Sequence, residues 1–247
     1  MEENEYVRNG LARQKLEKTA ELKTEKIVQV CGLDFFIRPN VFDPDIFPSA
    51  RFIARPWVKL IQELKPYRVL EIGSAAGYNG ILAALNGAHT VVCTDITREA
   101  VDNTEANIKR YNLENRMTVY HGDVFNALSG KNDKFDLIFW NFPFGHINKP
   151  PEELSSLERA IFDPGYVAVE KYMKEARDYL APNGHVFLGF SPTIGYWDEL
   201  VAIASKYYWS LKPFRPHETL IADIDNIEEV VAGQRFEIFQ LIDNKYP

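Results

Sequence analysis

The stretch Phe135-Asp136-Leu137-Ile138-Phe139-Trp140-Asn141-Phe142-Pro143-Phe144 decides the fold. Its first six residues, up to Trp140, are largely apolar, which is typical of a strand buried on both faces of a parallel sheet. Pro143 has no backbone N–H to donate to a sheet, so the strand must end before it. Proline also disfavours the helical conformation at Phe142. The sequence therefore predicts a stiff turn at the carboxyl end of a strand, where open α/β sheets bind their ligands.

Strand-like and helix-like segments alternate around this stretch, which indicates a doubly wound α/β sheet. The strand-like segments are 67–72, 89–95, 116–121, 135–140 and 184–190. The helix-like segments are 78–87, 97–112, 165–181 and 195–209. Two further extended runs, about 217–224 and 235–243, are predicted to form an antiparallel pair that closes the sheet.

The first 50 residues are predicted to form an extension to this sheet. Residues 1–26 balance acidic and basic side chains and hold few apolar ones, which favours a solvated surface helix over a lid on the substrate. The runs 27–30 and 33–37, joined by a glycine-containing turn, predict a β-hairpin. We expect residues 1–50 to lie on the substrate side and residues 51–247 to form the catalytic domain.

The composition is that of a soluble globular protein, with 46% hydrophobic and 26% charged residues among 247. A formal net charge of −7 argues against a nucleic-acid partner, because neutralising phosphates supplies much of such binding. The two cysteines have neither metal-ligand nor disulfide spacing, which favours a reducing compartment. No apolar run has the form of a signal peptide or the length of a membrane span. These features predict a cytoplasmic protein without a membrane span or a metal site.

The first predicted strand ends in residues suited to ligand binding. Glu71 is a carboxylate among apolar residues and needs a partner, such as the ammonium group of a ligand. Gly73 and Gly77, with the small residues Ser74 and Ala75 between them, allow the backbone to approach a ligand closely. A Gly-x-x-x-Gly loop alone is equally compatible with a plain strand-to-helix turn.

The next three strands also end in polar side chains. Asp95 follows Glu71 by 24 residues, close to the spacing at which nucleotide-binding sheets place an acid on ribose hydroxyls. Asp123 follows the third strand and can accept a hydrogen bond from an exocyclic amine, and Asn141 ends the fourth. Each acid alone could simply cap a helix. Four successive strand ends with such groups favour a ligand site.

Four motifs together resemble those of the class I S-adenosylmethionine-dependent methyltransferases: Val69–Gly77, Thr94-Asp95-Ile96, Gly122-Asp123-Val124 and Asn141–Phe144. Within that class, the sequence is most similar to the branch that carries Asn-Pro-Pro-Phe/Tyr. This branch contains release-factor glutamine methyltransferases and adenine- and guanine-N methyltransferases. The resemblance covers roughly residues 33–190. It implies a Rossmann-like, seven-stranded methyltransferase sheet and S-adenosylmethionine as the cofactor.

The resemblance also implies a cofactor site. Its residues are Glu71, Gly73, Ser74, Ala75 and Gly77 for the methionine part, Asp95 and Ile96 for ribose and adenine, Asp123 and Val124 for the adenine edge, and Asn141. Two features depart from the family. The usual Gly-Cys-Gly-x-Gly is Gly-Ser-Ala-Ala-Gly here, and Phe142 replaces the first proline of the catalytic motif. Since a backbone carbonyl survives a change of side chain, the activity is still expected, whereas the acceptor can differ.

The catalytic residues are predicted to be Asn141, Phe142, Pro143 and Phe144. Asn141 Oδ1 and the Phe142 carbonyl would hold both N–H groups of a planar nitrogen, so that its lone pair faces the methyl group. Phe144 would stack on the planar group. No strong base is needed before transfer, which favours N-methylation over O-methylation with His146 as the base. An O- or C-methyltransferase and a non-catalytic cofactor-binding partner subunit are the alternatives.

The acceptor pocket is expected to form from residues 33–51 and from the long, proline-rich connection 145–164. The predicted substrate-binding residues are Phe47, Arg51, Phe144 and His146. Arg51 is a candidate as part of an anion-contacting rim, although the sequence favours a solvated helix face as its explanation. The acidic net charge favours a protein or a small molecule over a nucleic acid as the methyl acceptor.

Overall fold

A computed structural model describes residues 2–214 and 235–245. The strands are β1 (Lys26–Val30), β2 (Leu33–Ile37), β3 (Arg68–Ile72), β4 (Thr90–Asp95), β5 (Met117–His121), β6 (Phe135–Asn141), β7 (Leu180–Phe190), β8 (Trp209–Pro213) and β9 (Glu237–Asp243). The α-helices are α1 (Glu2–Ala20), α2 (Ser49–Leu64), α3 (Tyr78–Leu85), α4 (Arg98–Arg110), α5 (Ser156–Arg159), α6 (Val167–Glu175) and α7 (Trp197–Lys206). The predicted N-terminal helix and hairpin, formed by α1, β1 and β2, are confirmed.

The main sheet has seven strands in the order β5-β4-β3-β6-β7-β9-β8. The pairs from β5 to β7 are parallel, whereas β9 is antiparallel to both β7 and β8. The strand order reverses between β3 and β6, and a ligand crevice opens at such a reversal, at the carboxyl ends of the strands. The predicted doubly wound seven-stranded sheet is confirmed.

Two apolar clusters cover the two faces of this sheet, because successive side chains of a strand point to opposite sides. Val69 of β3 belongs to one cluster, and its neighbour Leu70 belongs to the other. On the first face, Trp57 of α2 stacks on Phe139 of β6 with ring centroids 4.4 Å apart. On the second face, the Tyr172 hydroxyl of α6 donates a 2.7 Å hydrogen bond to a carbonyl of β7. Strand β6 is therefore buried on both faces, as its apolar sequence predicts.

The carboxyl-terminal part differs from the sequence prediction. The helix predicted over 195–209 ends at Lys206, and Trp209 begins β8 because its indole ring is buried against α6, where Nε1 donates to the Met173 carbonyl. The run 235–243 forms β9 as expected. The other predicted strand, 217–224, lies outside the described residues, and the described antiparallel partner of β9 at the sheet edge is β8.

The hairpin is docked on α4 through two buried asparagine side chains. Asn107 accepts a 2.8 Å hydrogen bond from the Phe36 N–H and donates a 2.9 Å bond to the Phe36 carbonyl. Asn103 donates to the same carbonyl and accepts from the Arg38 N–H. Asn107 also donates to the Ala76 carbonyl at 2.8 Å. One helix therefore connects the hairpin to the loop after β3.

In residues 2–214 and 235–245, no helix is both long and apolar enough to cross a membrane. The same residues contain no cluster of three or more histidine, cysteine or acidic side chains suited to a metal ion.

Candidate active site

A pocket of about 550 Å³ lies at the carboxyl ends of β3, β4 and β6. Most of the predicted site residues line it: Phe47, Gly73, Ala75, Asp95, Ile96, Asp123, Val124, Asn141, Phe142, Pro143, Phe144 and His146. Four predicted residues do not line it: Arg51, Glu71, Ser74 and Gly77. The structure thus brings the ends of several strands together, as their parallel arrangement requires.

The loop after β3 is shaped by close contacts that only small residues permit. Gly73 has a φ of +67°, and a Cβ there would lie 2.7 Å from Nε1 of Trp140. Gly77 has a φ of +79°, and a Cβ there would lie 2.8 Å from Thr104. The hydroxyl of Ser74 pairs with the Thr104 hydroxyl at 3.0 Å. Ser74 and Gly77 therefore set the path of the loop from behind, without facing the pocket.

Ala75 occupies the position at which the family has a second glycine. Its φ is +51°, a conformation that costs a residue with a Cβ. Asp95 accepts a 3.0 Å hydrogen bond from the Ala75 N–H, and Thr104 donates a 3.1 Å bond to the Ala75 carbonyl. These two bonds hold the strained residue, so the loop keeps its course without glycine at this position.

Glu71 is only 1% exposed and lies behind the pocket wall. Its Oε2 accepts hydrogen bonds from the Gly80 N–H at 2.8 Å and from the Cys93 thiol at 3.5 Å, and its carboxyl group also bonds the Asn79 side chain. Burial, with a smaller contribution from Asp95, raises the pKa of Glu71 to about 8. The expectation that this carboxylate faces a ligand directly is corrected, because protein donors surround it.

Asn79 stands between Glu71 and the pocket, and sequence reasoning missed it. It lies in the first turn of α3, is 3% exposed and lines the pocket. Its Oδ1 is buried and has no hydrogen-bond partner among the described residues. A polar residue in the otherwise apolar segment Tyr78–Leu85 is the signal that identifies it.

Asp95 organises the end of β4. Besides the Ala75 N–H, its carboxylate accepts bonds from the N–H and the hydroxyl of Thr97, at 2.9 and 3.0 Å. Burial raises the pKa of Asp95, and these hydrogen bonds oppose that rise. Ile96 lines the pocket as an exposed apolar side chain. The pair thus offers a ligand a carboxylate edge and an adjacent apolar surface.

Asp123 also lines the pocket but already has a charged partner. Its Oδ2 lies 2.6 Å from Nζ of Lys171 on α6, and the same ammonium group donates to the Asp123 carbonyl. The adjacent Val124 is buried and has a φ of +48°. Nothing in the sequence links Lys171 to Asp123, since the contact depends on how α6 packs.

The Asn141 side chain occupies space beside β7 that is available because residue 189 is a glycine. Asn141 is paired with Gly189 across the parallel ladder, and a Cβ on Gly189 would lie 2.5 Å from Asn141 Oδ1. Oδ1 is buried and makes no hydrogen bond within the part of the chain that is described. An acceptor atom is therefore held at the pocket with its hydrogen-bonding capacity unused.

The aromatic ring of Phe142, at the position where the family has proline, packs into the core. The ring is 1% exposed, stacks on Phe190 at 5.6 Å with a 7° interplanar angle, and meets Tyr166 edge-on at 5.7 Å. Phe144 contacts the edges of both Phe142 and Phe190 and is only partly buried. The Tyr166 hydroxyl donates to the Phe144 carbonyl at 2.8 Å, which fixes the turn beyond β6.

Of the predicted substrate-binding residues, Phe47 lines the pocket and Arg51 does not. Phe47 lines the pocket and stacks on Phe42 at 4.9 Å. Arg51 forms an ion pair with Asp45 and donates to the Gln29 carbonyl at 3.2 Å. The predicted placement of Arg51 at the substrate is not found, because a nearer carboxylate holds its guanidinium group.

Helix α1 contributes to the pocket, which its solvated composition does not suggest. Ala12 and Lys15 line the pocket, and Ala12 and Leu16 pack against a small apolar cluster that includes Leu154 and Phe162 of the 145–164 connection. Burial lowers the pKa of Lys15, whose Nζ lies 5.7 Å from the centre of the Phe47 ring. The helix thus covers part of the site.

Comparison with known proteins identifies the class to which this fold and site belong. Residues 64–199, more than half of the chain, match the family described as "Methyltransferase domain". The chain belongs to this family. The predicted class, an S-adenosylmethionine-dependent methyltransferase, and the predicted cofactor are confirmed.

Individual relatives cover the chain to different extents. It is 32% identical to the ribosomal protein uL3 glutamine methyltransferase of Bradyrhizobium diazoefficiens, over 54% of this chain and 42% of the relative. It is 24% identical to the release factor glutamine methyltransferase of Borreliella burgdorferi, over 83% and 69%. A solved methyltransferase of Podospora anserina, bound to S-adenosylhomocysteine, shares the fold with a TM-score of 0.51 and 15% identity, over 94% and 86%. The chain spans less than half the length of several curated relatives that it matches.

Proposed function

We propose that this protein transfers a methyl group from S-adenosylmethionine to a planar amide nitrogen, with a glutamine side chain of a protein as the preferred acceptor. The observation that carries the proposal is the buried, unpartnered Asn141 Oδ1 at the end of β6. This oxygen can accept a hydrogen bond, and an N–H of the acceptor amide would be a suitable donor. The names of the glutamine methyltransferases among the relatives support the same acceptor.

The pocket of about 550 Å³ lies in the size range of small-molecule and cofactor sites, and its lining residues support S-adenosylmethionine as the ligand. Gly73 and Ala75 would lie against its methionine part, with Asn79 Oδ1 free to accept from its ammonium group. Asp95 would bind the ribose hydroxyls, and Ile96 would pack on the adenine ring. Asp123 and Val124 would contact the adenine edge. Glu71, Ser74 and Gly77 lie outside the pocket. Glu71 bonds the Asn79 side chain, and Ser74 and Gly77 shape the loop after β3.

The residues of the catalytic motif align the acceptor. Bound S-adenosylmethionine supplies an electrophilic methyl group on sulfur. Asn141 Oδ1 and the Phe142 carbonyl accept the two amide N–H groups, and Pro143 restricts the direction of that carbonyl. Phe144 covers one face of the planar group. Because an amide lone pair is delocalised, most of the rate gain comes from this alignment.

The first 50 residues form the substrate side of the site in this proposal. Ala12 and Lys15 of α1, together with Asn40–Phe42 and Phe47–Ser49, line the pocket. Residues 51–247 supply the catalytic sheet. The extension would therefore select the acceptor, and the sheet would hold the cofactor and perform the chemistry.

The test uses S-adenosylmethionine labelled on its methyl group. Wild type, Asn141→Ala and the surface control Asn126→Ala are incubated with cell extract separated into protein, nucleic-acid and small-molecule pools. We expect label in the protein pool, a loss of about a hundredfold for Asn141→Ala because the acceptor is misaligned, and no change for Asn126→Ala. Calorimetric binding of S-adenosylhomocysteine verifies that each of the three proteins keeps a folded cofactor site. Label in nucleic acid alone, or full activity of Asn141→Ala, would refute the proposal.

A further inference from the structure

His146 is held rigidly just beyond the catalytic motif. The preceding Gly145 donates its N–H to the Ile161 carbonyl at 2.9 Å and accepts from the Asp163 N–H at 3.0 Å. A Cβ on Gly145 would lie 2.7 Å from the Ile161 carbonyl, so the two backbones are in close contact. These bonds tie the residues after β6 to the end of the 145–164 connection. The backbone that carries His146 therefore has a fixed position beside the pocket.

The imidazole ring of His146 borders the pocket and is also fixed. It packs edge-on against Tyr196, with the ring centroids 5.3 Å apart and an interplanar angle of 68°. Its Nδ1 is buried and lacks a hydrogen-bond partner among residues 2–214 and 235–245. A buried ring nitrogen with no protein partner is free to exchange a proton with a bound ligand.

A buried carboxylate acts on this ring. Asp163 accepts hydrogen bonds from the N–H groups of Ala168 and Val169 at the start of α6, at 3.0 and 2.9 Å. Burial raises the pKa of Asp163 to about 6, Asp123 acts in the same direction and His146 acts against it. At neutral pH the Asp163 carboxylate is therefore mostly ionised, so it places a negative charge near the imidazole ring.

The titratable groups around the ring come from different elements. Asp163 faces it from the segment before α6, and Tyr196 faces it from the segment before α7. Asp123 also acts on Asp163, and it forms an ion pair with Lys171. Asp163 is therefore the carboxylate that interacts electrostatically with His146.

We propose that His146 Nδ1 accepts the proton that the acceptor nitrogen loses on methylation. The inference rests on the proposed N-methyl transfer and adds a catalytic residue to it. The acceptor nitrogen forms a bond to the methyl carbon, and the carbon–sulfur bond breaks with its electron pair on sulfur. The methylated nitrogen is then positively charged, and one of the two protons held by Asn141 Oδ1 and the Phe142 carbonyl passes to Nδ1 and from there to solvent. Asn141 and the Phe142 carbonyl align the nitrogen, and His146 removes its proton.

Chemical rescue tests the assignment. Transfer of labelled methyl groups into the protein pool is measured between pH 5.5 and 9 for wild type, His146→Ala and His146→Gln. His89→Gln is the control. His89 directly precedes β4 and stacks on Tyr67, which directly precedes β3, so it lies at the amino ends of the strands and the pocket lies at their carboxyl ends. We expect His146→Ala and His146→Gln to be about a hundredfold slower, with the loss of the acid limb of the wild-type profile. Added imidazole should restore His146→Ala and leave His146→Gln unchanged.

Calorimetric binding of S-adenosylhomocysteine and far-UV circular dichroism verify that the variants are folded. A folded His146→Ala within threefold of wild type across this pH range would overturn the assignment of His146 and leave the proposed function intact. A slow variant that imidazole does not restore, with an acid limb like that of wild type, would also overturn it. Wild type that binds the cofactor product but labels no pool would overturn the proposed function itself.

Discussion

Replacing Glu71 with glutamine should make the protein more stable at alkaline pH. Glu71 is fully enclosed by Asn79, Gly80 and Cys93, and burial raises its pKa to about 8, from an ordinary value of about 4.5. The folded protein therefore keeps a proton between these pH values that the unfolded chain releases. The free energy of unfolding of the wild type must fall as pH rises through this range.

The size of the effect follows from the pKa. Each pH unit in that range corresponds to about 1.4 kcal/mol, so the full effect is about 5 kcal/mol. Glutamine has no proton to lose, and its Oε1 can accept the hydrogen bonds from Gly80 and Cys93. The stability difference between Glu71→Gln and wild type should thus grow by about 3 kcal/mol between pH 5.5 and pH 8.

Urea unfolding at pH 5.5, 7.0 and 8.0 measures this difference. The control is Glu63→Gln, because Glu63 is an exposed residue of α2. Its stability profile should run parallel to that of wild type. A parallel profile for Glu71→Gln as well would show that Glu71 ionises like an exposed carboxyl group, and the account of the buried carboxyl group given above would be wrong.

Three further changes test the geometry of the site. Gly189→Ala should cut methyl transfer at least tenfold with unchanged calorimetric affinity for S-adenosylhomocysteine, because the new Cβ displaces the Asn141 amide; equal activity would refute the role of that space. Asn79→Ala should weaken the same affinity about tenfold, since a buried hydrogen-bond partner of the cofactor is lost, and an unchanged titration would place the cofactor elsewhere. Phe142→Pro should lower the free energy of unfolding by about 3 kcal/mol in urea, because the ring leaves its stack on Phe190; wild-type stability would contradict this packing argument.

The positions of the strand ends could be predicted from the sequence. Each parallel strand is a short apolar run that ends in a polar or small residue, and parallel strands bring such ends to one edge. Asp95, Asp123 and Asn141 therefore line one pocket, as expected. These features are local in the sequence, and the sheet topology brings them together.

Other features depend on packing between distant segments, which the sequence does not encode locally. Gly189 gives space to Asn141 only because β6 and β7 pair in one particular register. Lys171 reaches Asp123 across 48 positions of the chain. Arg51 was expected at the substrate, but Asp45 on the preceding loop competes for it. The helix predicted over 195–209 extends to the first residue of β8, because only tertiary packing shows that Trp209 is buried at the sheet edge.

The docking of the hairpin on α4 also bears on solubility. An edge strand exposes unpaired N–H and carbonyl groups, to which a strand of another molecule can add. The side-chain amide of Asn107 accepts a hydrogen bond from the Phe36 N–H of β2 and donates one to the Phe36 carbonyl, as a neighbouring strand would. Asn103 accepts a hydrogen bond from the Arg38 N–H, two residues further along. Two side chains of a helix thus protect this ribbon against intermolecular β-pairing. Replacing them would expose an aggregation-prone edge close to the cofactor loop.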